Sequence, residues 1–369
     1  MKNRNLQYLK KKVRPTLIFA LLVSISLIYL LAASIQCEWT GVEKIVAVGD
    51  LHGDYKNFVK ILRGTKLVDK GLRWKGGKTH LVQIGDVIDR GPDAKKIYDL
   101  LMRLQKEAEE AGGKVHMLIG NHEEINITGI SFDYEGYVTL DQFVSFLPEK
   151  YKEKKERDFL KKKQKEALKQ PGAGSSSDYD LRDYWKEIRN EAMENSNHSA
   201  RKKYTYNFNK TYGKWILEQN AVIRINDIIF VHGGISEEFS TWKLKDINDQ
   251  TRRELDAFRN SIIFSMPPRL TVRRIVYEPS GPLWYRDLAQ KNEDDFKENV
   301  DRILHNLDAN YMIIAHTPRK IRNMDDMSRF DGRIWIIDTG ISDAYGGYLS
   351  ALIINKGVFD VWPPELRNN

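Results

Sequence analysis

Short apolar runs rich in β-branched residues recur along this chain, and most of them stop at a glycine-containing segment. The runs cover residues 45–48, 80–84, 115–119, 228–231 and 312–314. An apolar run bounded by glycine predicts a buried strand. Behind the first two runs the period changes. Phe58, Val59 and Leu62 are spaced for a helix over 55–62, and Ile97, Leu100, Leu101, Leu104 and Ala108 line one face of a longer helix over 94–111. Strands alternating with helices predict a mostly parallel sheet whose ligand sites lie at the strand carboxyl ends. The rhythm stops after residue 123 and resumes at 213. Strands at 222–225 and 228–231, helices around 251–264 and 296–307, and closing strands at 333–337 and 349–362 follow. This layout predicts an α/β fold of two sheets with helices outside.

The interruption has its own pattern. Residues 150–170 are rich in Lys and Glu, with only Phe159, Leu160, Ala167 and Leu168 to bury. That predicts a solvated helix on an insertion, with docking on an anionic surface as the functional alternative. The stretch 171–177 is a flexible linker by composition.

Polar residues at the strand ends carry the chemistry. The segments are Gly49-Asp50-Leu51-His52-Gly53-Asp54, Gly85-Asp86-Val87-Ile88-Asp89-Arg90-Gly91, Gly120-Asn121-His122-Glu123, Val231-His232-Gly233-Gly234 and Ala315-His316-Thr317-Pro318. A strand end aims a ligand rigidly, and the glycine after it lets the chain turn. Asp50, His52, Asp86, Asn121, His232 and His316 are thereby delivered to one rim of a sheet. Six such ligands suffice for two metal ions, and two metals point to hydrolysis of a phosphate ester. Taken singly, an Asp or His at a strand end is more often a turn former or a capped core residue. His80 and His116, which lie on the runs themselves, read as packing residues.

These segments, with Gly281-Pro282-Leu283-Trp284-Tyr285-Arg286 and Ile337-Asp338-Thr339-Gly340-Ile341-Ser342-Asp343-Ala344-Tyr345-Gly346-Gly347, resemble the calcineurin-like metallophosphoesterases. Within them they resemble the phosphoprotein phosphatase superfamily and its bacterial-type, Shewanella-like branch. The resemblance covers about 44–362 and implies a two-sheet sandwich flanked by helices over 41–362, with a variable Lys-rich insertion at 130–212. The six ligands stand in the order that family shows. Asp50 and His52, at positions i and i+2, reach one ion; Asp86 is the expected bridge; Asn121, His232 and His316 complete the second site. Nitrogen and oxygen donors without thiolate suit Mn, Fe or Zn and suit Ca poorly. By resemblance His122 is the general acid and Asp89 its orienting partner. Asn121 and Arg90 reach the substrate phosphate, Arg90 as a planar fork, and by resemblance alone Arg286 is a second clamp and Tyr345 lines the pocket. The expected activity is hydrolysis of a phosphate monoester, on phosphoprotein or a small phosphate ester. A dinucleoside polyphosphate or polyphosphate hydrolase is the alternative, and a non-catalytic membrane-anchored scaffold a second.

Charge and the amino-terminal segment complete the picture. Of the formal charge of +8, residues 1–14 contribute +6 and residues 150–170 another +6, leaving the rest at −4. A mildly acidic body does not indicate a nucleic-acid partner. Cys37 is the single cysteine, so no intrachain disulfide forms. Residues 16–36 carry no charge, and about 20 apolar residues span a bilayer. With basic residues before it, this stretch predicts a single transmembrane signal-anchor preceding the fold, with a cytoplasmic tail over 1–15 and the catalytic domain on the extracytoplasmic side. Cleavage after Ala32-Ala33-Ser34, as a secretion signal, is the competing expectation.

Overall fold

A computed structural model describes residues 35–169, 180–267 and 274–367. The chain divides into two compact units, Met1–Gln36 and Cys37–Asn369; every strand and helix of the described residues belongs to the second. Its strands are β1 (Glu38–Trp39), β2 (Lys44–Val48), β3 (His80–Gln83), β4 (Lys114–Met117), β5 (Val222–Ile225), β6 (Ile228–Val231), β7 (Tyr311–Ile314), β8 (Ser328–Arg329), β9 (Ile334–Ile336), β10 (Ala351–Asn355) and β11 (Val358–Trp362). They form two sheets, in the order β1-β5-β6-β7-β9-β8 and β11-β10-β2-β3-β4. In one sheet β2, β3 and β4 run parallel, and in the other β6, β7 and β9 do. Parallel strands are covered on both faces, which is why they read as continuous apolar runs instead of alternating. All four residues of β6 and four of the five in β2 are buried.

Helices close the outer faces. The helix Tyr55–Gly64 is capped by Asp54, which accepts from the Asn57 amide at 2.9 Å, and it buries Phe58, Val59, Ile61 and Leu62. The helix Ala94–Glu110 buries Tyr98 and the apolar face read from its period. Burying one large apolar side chain is worth about 1.5–3 kcal/mol, so these faces fix the helices far more firmly than propensity does.

The region 130–212 is also helical, with Leu140–Phe146, Glu149–Leu168, Leu181–Glu194 and Ser199–Phe208. Phe132, Phe143, Phe146, Tyr204 and Phe208 make an aromatic core in it, and Tyr212 stacks on Tyr98 of the body at 5.4 Å. The Lys-rich helix Glu149–Leu168 is held by Phe159, stacked on Tyr184 at 4.4 Å, and by Glu156, which accepts from the Trp185 indole at 2.8 Å.

The transmembrane helix expected ahead of this fold is corrected. Among the described residues no helix is long and apolar enough to cross a membrane. The two described helices of sufficient length, Glu149–Leu168 and Leu244–Phe264, are dominated by charged and polar side chains, which a bilayer core does not accept. Residues 1–34, with most of the expected anchor, the basic tail and the alternative cleavage site, lie outside the described residues. Ile35 and Gln36 are not helical, and Cys37 is buried in the core. No described helix supports membrane attachment through 16–36 or an extracytoplasmic catalytic domain.

His80 and His116 pack as expected, and they pack on each other. Nε2 of His116 lies 3.0 Å from Nδ1 of His80, and Trp39 of β1 sets its ring 4.4 Å from His116. Burial, then the Lys114 charge, lowers His80 to about 4; burial, then His80 and Lys114, holds His116 well below the ordinary imidazole value. The pair therefore folds neutral. As pH falls below about 6.5 the unfolded chain takes up these protons first, so stability is lost between about pH 6.5 and 4. Melting temperature measured from pH 7.5 to 4.5 is expected to fall more steeply for the wild type than for a His80→Asn, His116→Gln chain. Equal slopes would remove the pair from the acid sensitivity.

Candidate metal centre

The six candidate ligands meet between two facing rims, one from each sheet, and not on the single rim that the sequence suggested. Asp50 and His52 follow β2, Asp86 follows β3 and Asn121 follows β4; His232 and His316 follow β6 and β7 of the other sheet. The rims touch closely. A Cβ on Gly49 would stand 2.2 Å from the Ile337 carbonyl oxygen, and one on Gly85 would stand 2.9 Å from Nδ1 of His232. Only glycine allows that approach. The backbone is strained around the centre: the candidate ligands His52, Asp86 and His316 and their neighbours Asp89 and Arg90 have positive φ, at 40°, 55°, 65°, 71° and 66°. Non-glycine residues seldom adopt this conformation, and it persists where surrounding structure enforces it.

Two clusters of potential ligands share one carboxylate. His52, Asp86 and His122 form the first; Asp86, His232 and His316 form the second. Oδ2 of Asp86 lies 3.9 Å from Nε2 of His52, 3.9 Å from Nε2 of His122 and 3.4 Å from Nε2 of His232. Asp50 stands beside both, 3.9 Å from His52 and 3.8 Å from His232. Oδ1 of Asn121 lies 2.9 Å from Nε2 of His232. His52 and His232 turn their Nδ1 atoms to the carbonyls of Ile88 and Ile84, at 3.2 and 2.9 Å, which leaves each Nε2 facing the centre.

The donors fit divalent cations. Oδ1 of Asp50 and Nε2 of His316 are buried without a hydrogen-bond partner, a costly state that a bound cation relieves. Burial, then the charges of Asp338 and Asp86, pushes Asp50 well above the carboxylate range, and burial with Asp86 raises Asp338 to about 6. Burial, then neighbouring His122, lowers His52 to about 3; burial, then His232, lowers His316 to about 2. These two imidazoles are therefore neutral, with lone pairs to give. Crowded carboxylates and neutral imidazoles suit a dimetal site.

Beside the centre stands an Asp–His pair. Nδ1 of His122 lies 2.8 Å from Oδ2 of Asp89. Burial alone would lower this imidazole, but Asp86 and Asp89 outweigh it and its pKa is raised. Asp89 is fully buried and held from two sides: Gln142 of the inserted region donates to Oδ1 at 2.8 Å and accepts from the Asp89 amide, and Asn126 of the helix Asn121–Thr128 donates to Oδ2 at 2.8 Å. The Arg90 guanidinium lies 4.5 Å from the Tyr137 ring and 5.1 Å from the Tyr345 ring. Nη1 of Arg286 donates to the His316 carbonyl at 2.9 Å and to Oγ1 of Thr317 at 3.0 Å, tying its segment to the His316 turn.

Three kinds of residue escaped the sequence. Asp338 lies just past the end of β9, as Asp86 lies past the end of β3, and its apolar run with Asp-Thr-Gly was the available signal. Glu123, read only as part of a motif, is fully buried and accepts four hydrogen bonds, from the amides of Asp86, Val87 and Gly120 and from the Tyr98 hydroxyl, all at 2.8–2.9 Å. Tyr137 and Gln142 lie in the insertion, and no local pattern marks them.

The chain matches a known family. The model for the calcineurin-like phosphoesterases matches residues 43–320, and the chain belongs to that family. Relatives include an uncharacterized protein of Schizosaccharomyces pombe, 30% identical over 86% of this chain and 78% of that one. Shewanella-like protein phosphatase 1 of Plasmodium berghei is 27% identical over 83% of this chain and 68% of its own. A crystal structure of a cold-active protein-tyrosine phosphatase of a psychrophilic Shewanella species covers 89% of this chain and 84% of its own, with TM-score 0.56 and 20% identity. That last likeness is one of fold.

Glu123 provides a test of how the centre is held. Glu123→Gln turns an amide –NH2 toward backbone donors and leaves buried groups unpaired, each costing about 1–3 kcal/mol. Thermal unfolding is expected to show a loss of at least about 2 kcal/mol, and metal analysis a reduced content. A chain of unchanged stability and metal content would show that Glu123 does not set the Asp86 turn.

Proposed function

We propose that this protein is a two-metal phosphatase that hydrolyses phosphate monoesters, on phosphoprotein or on small phosphate esters. The observation that carries the reading is Asp86 shared between two ligand clusters with the His122–Asp89 pair at their edge. Asp50, His52, Asp86, Asn121, His232 and His316 would hold two divalent cations of the Mn, Fe or Zn class. Such cations offset phosphate charge and lower the pKa of a water.

The chain's own residues do the rest. Arg90 presents N–H donors to the phosphate oxygens in a planar fork. Asp89 fixes the His122 tautomer with the proton on Nδ1 and favours the doubly protonated ring. His122 then gives its Nε2 proton to the leaving alcohol oxygen as a water oxygen bonds to phosphorus and the P–O bond to the alcohol breaks. Arg286 holds the turn that carries His316, and Tyr345 walls the side of the site next to His52, its ring 5.1 Å from the imidazole.

The decisive experiment compares two variants of the full chain on an aryl phosphate, with metal content measured alongside. Asp86→Asn is expected to abolish turnover and lose metal. His122→Asn is expected to lower kcat by about a hundredfold or more while two metal equivalents remain. Retained turnover in Asp86→Asn would refute the phosphatase reading. Loss of metal in His122→Asn would make His122 a ligand instead of the acid.

A further inference from the structure

We infer that Tyr137, a residue of the inserted region, is a positioning residue for Arg90, holding the guanidinium so that its N–H donors stay free for phosphate. The inference rests on the phosphatase reading above. Tyr137 grips Arg90 twice. Its carbonyl oxygen accepts the Arg90 amide at 2.7 Å, fixing a residue whose φ is 66°, and its ring lies 4.5 Å from the guanidinium carbon. Tyr345 adds a second ring at 5.1 Å. Among the described residues no carboxylate pairs with Arg90, and its buried Nε has no hydrogen-bond partner.

That combination is informative because arginines are usually fixed by carboxylates. A carboxylate would occupy the fork and neutralise the charge that a phosphate is to meet. An aromatic face attracts the cation without accepting its N–H groups in the plane. Both rings are themselves anchored. Tyr137 stacks on Tyr134 at 4.8 Å and 16°, and it also lies 4.6 Å from the His122 ring. Tyr345 sits on a turn latched to the helix Tyr55–Gly64, where the Asp343 amide donates to Asp54 at 3.0 Å and Asn57 donates to Asp343 at 3.0 Å. The guanidinium is thus oriented by rings from two remote parts of the chain.

The test is a double-mutant cycle on the metal-loaded full chain, reading KM and kcat for an aryl phosphate and the Kd of inorganic phosphate. Tyr137→Leu is expected to raise KM and the phosphate Kd roughly tenfold, with a smaller change in kcat. Tyr137→Phe, which keeps the aromatic face, recovers most of that loss. In an Arg90→Ala background Tyr137→Leu is expected to add almost nothing, because its effect runs through Arg90. An equal effect with and without Arg90, or a Phe variant as impaired as Leu, would overturn the inference. If the Leu variant does not fold, Tyr137→Met, which keeps volume and loses the π face, replaces it in the cycle. A wild-type chain that binds phosphate without hydrolysing the ester fails the phosphatase reading alone, and the cycle is then decided on the phosphate Kd. A chain that binds no phosphate overturns both.

Discussion

Burying Asp50, Asp86 and Asp338 around one point creates a repulsion that the surrounding structure is arranged to withstand. Three carboxylates out of water cannot all ionise without compensation. Compensation comes from cations once bound, and from fixed donors before that. Glu123 organises the turn after β3 by accepting the Asp86 and Val87 amides, while the His122 amide, at the start of its helix, donates to Oδ1 of Asp86 at 2.9 Å. The left-handed backbone at Asp86 costs energy that a four-bond carboxylate and two sheets can meet. A looser scaffold would relax it, and the shared ligand would swing away from one cluster.

The second constraint is that both rims must stay in register. His232 and His316 come from a different sheet from Asp50, Asp86 and Asn121, so the centre exists only while the two sheets stay packed. The Ile119 amide donates to the Asn220 carbonyl across them at 3.0 Å, and the Gly49–Ile337 approach admits no side chain. The core between the sheets therefore serves the chemistry directly, because slippage of about an ångström would separate the clusters.

The inserted region is a working part of this arrangement. Gln142 orients Asp89 and also donates to the Tyr204 hydroxyl, which in turn donates to Asn126. Asn126 returns to Asp89, closing a buried circuit around the carboxylate that pairs with His122. Tyr137 lies on the Arg90 side, where its carbonyl accepts the Arg90 amide. The insertion therefore supports Asp89 and Arg90 from outside the two sheets, through Gln142 and Tyr137.

Much of this was legible in the sequence, for a physical reason. Strands covered on both faces need unbroken apolar runs, and a ligand at a strand end needs a glycine beside it. The two-sheet layout and the six candidate ligands, Asp50, His52, Asp86, Asn121, His232 and His316, could therefore be read locally. The apolar stretch at 16–36 shows the limit of such reading, since length and hydropathy alone suggested a span that no described helix provides. Glu123, Gln142, Tyr137 and Asp338 earn their places only by what they touch: an amide 37 residues away, an aspartate 53 residues away, a guanidinium, a second carboxylate. The sequence determined which groups stand at the strand ends, because that follows from neighbours along the chain. Tertiary structure alone decided which partners hold them, because the donors and rings that do so come from distant segments brought together only when the two sheets close.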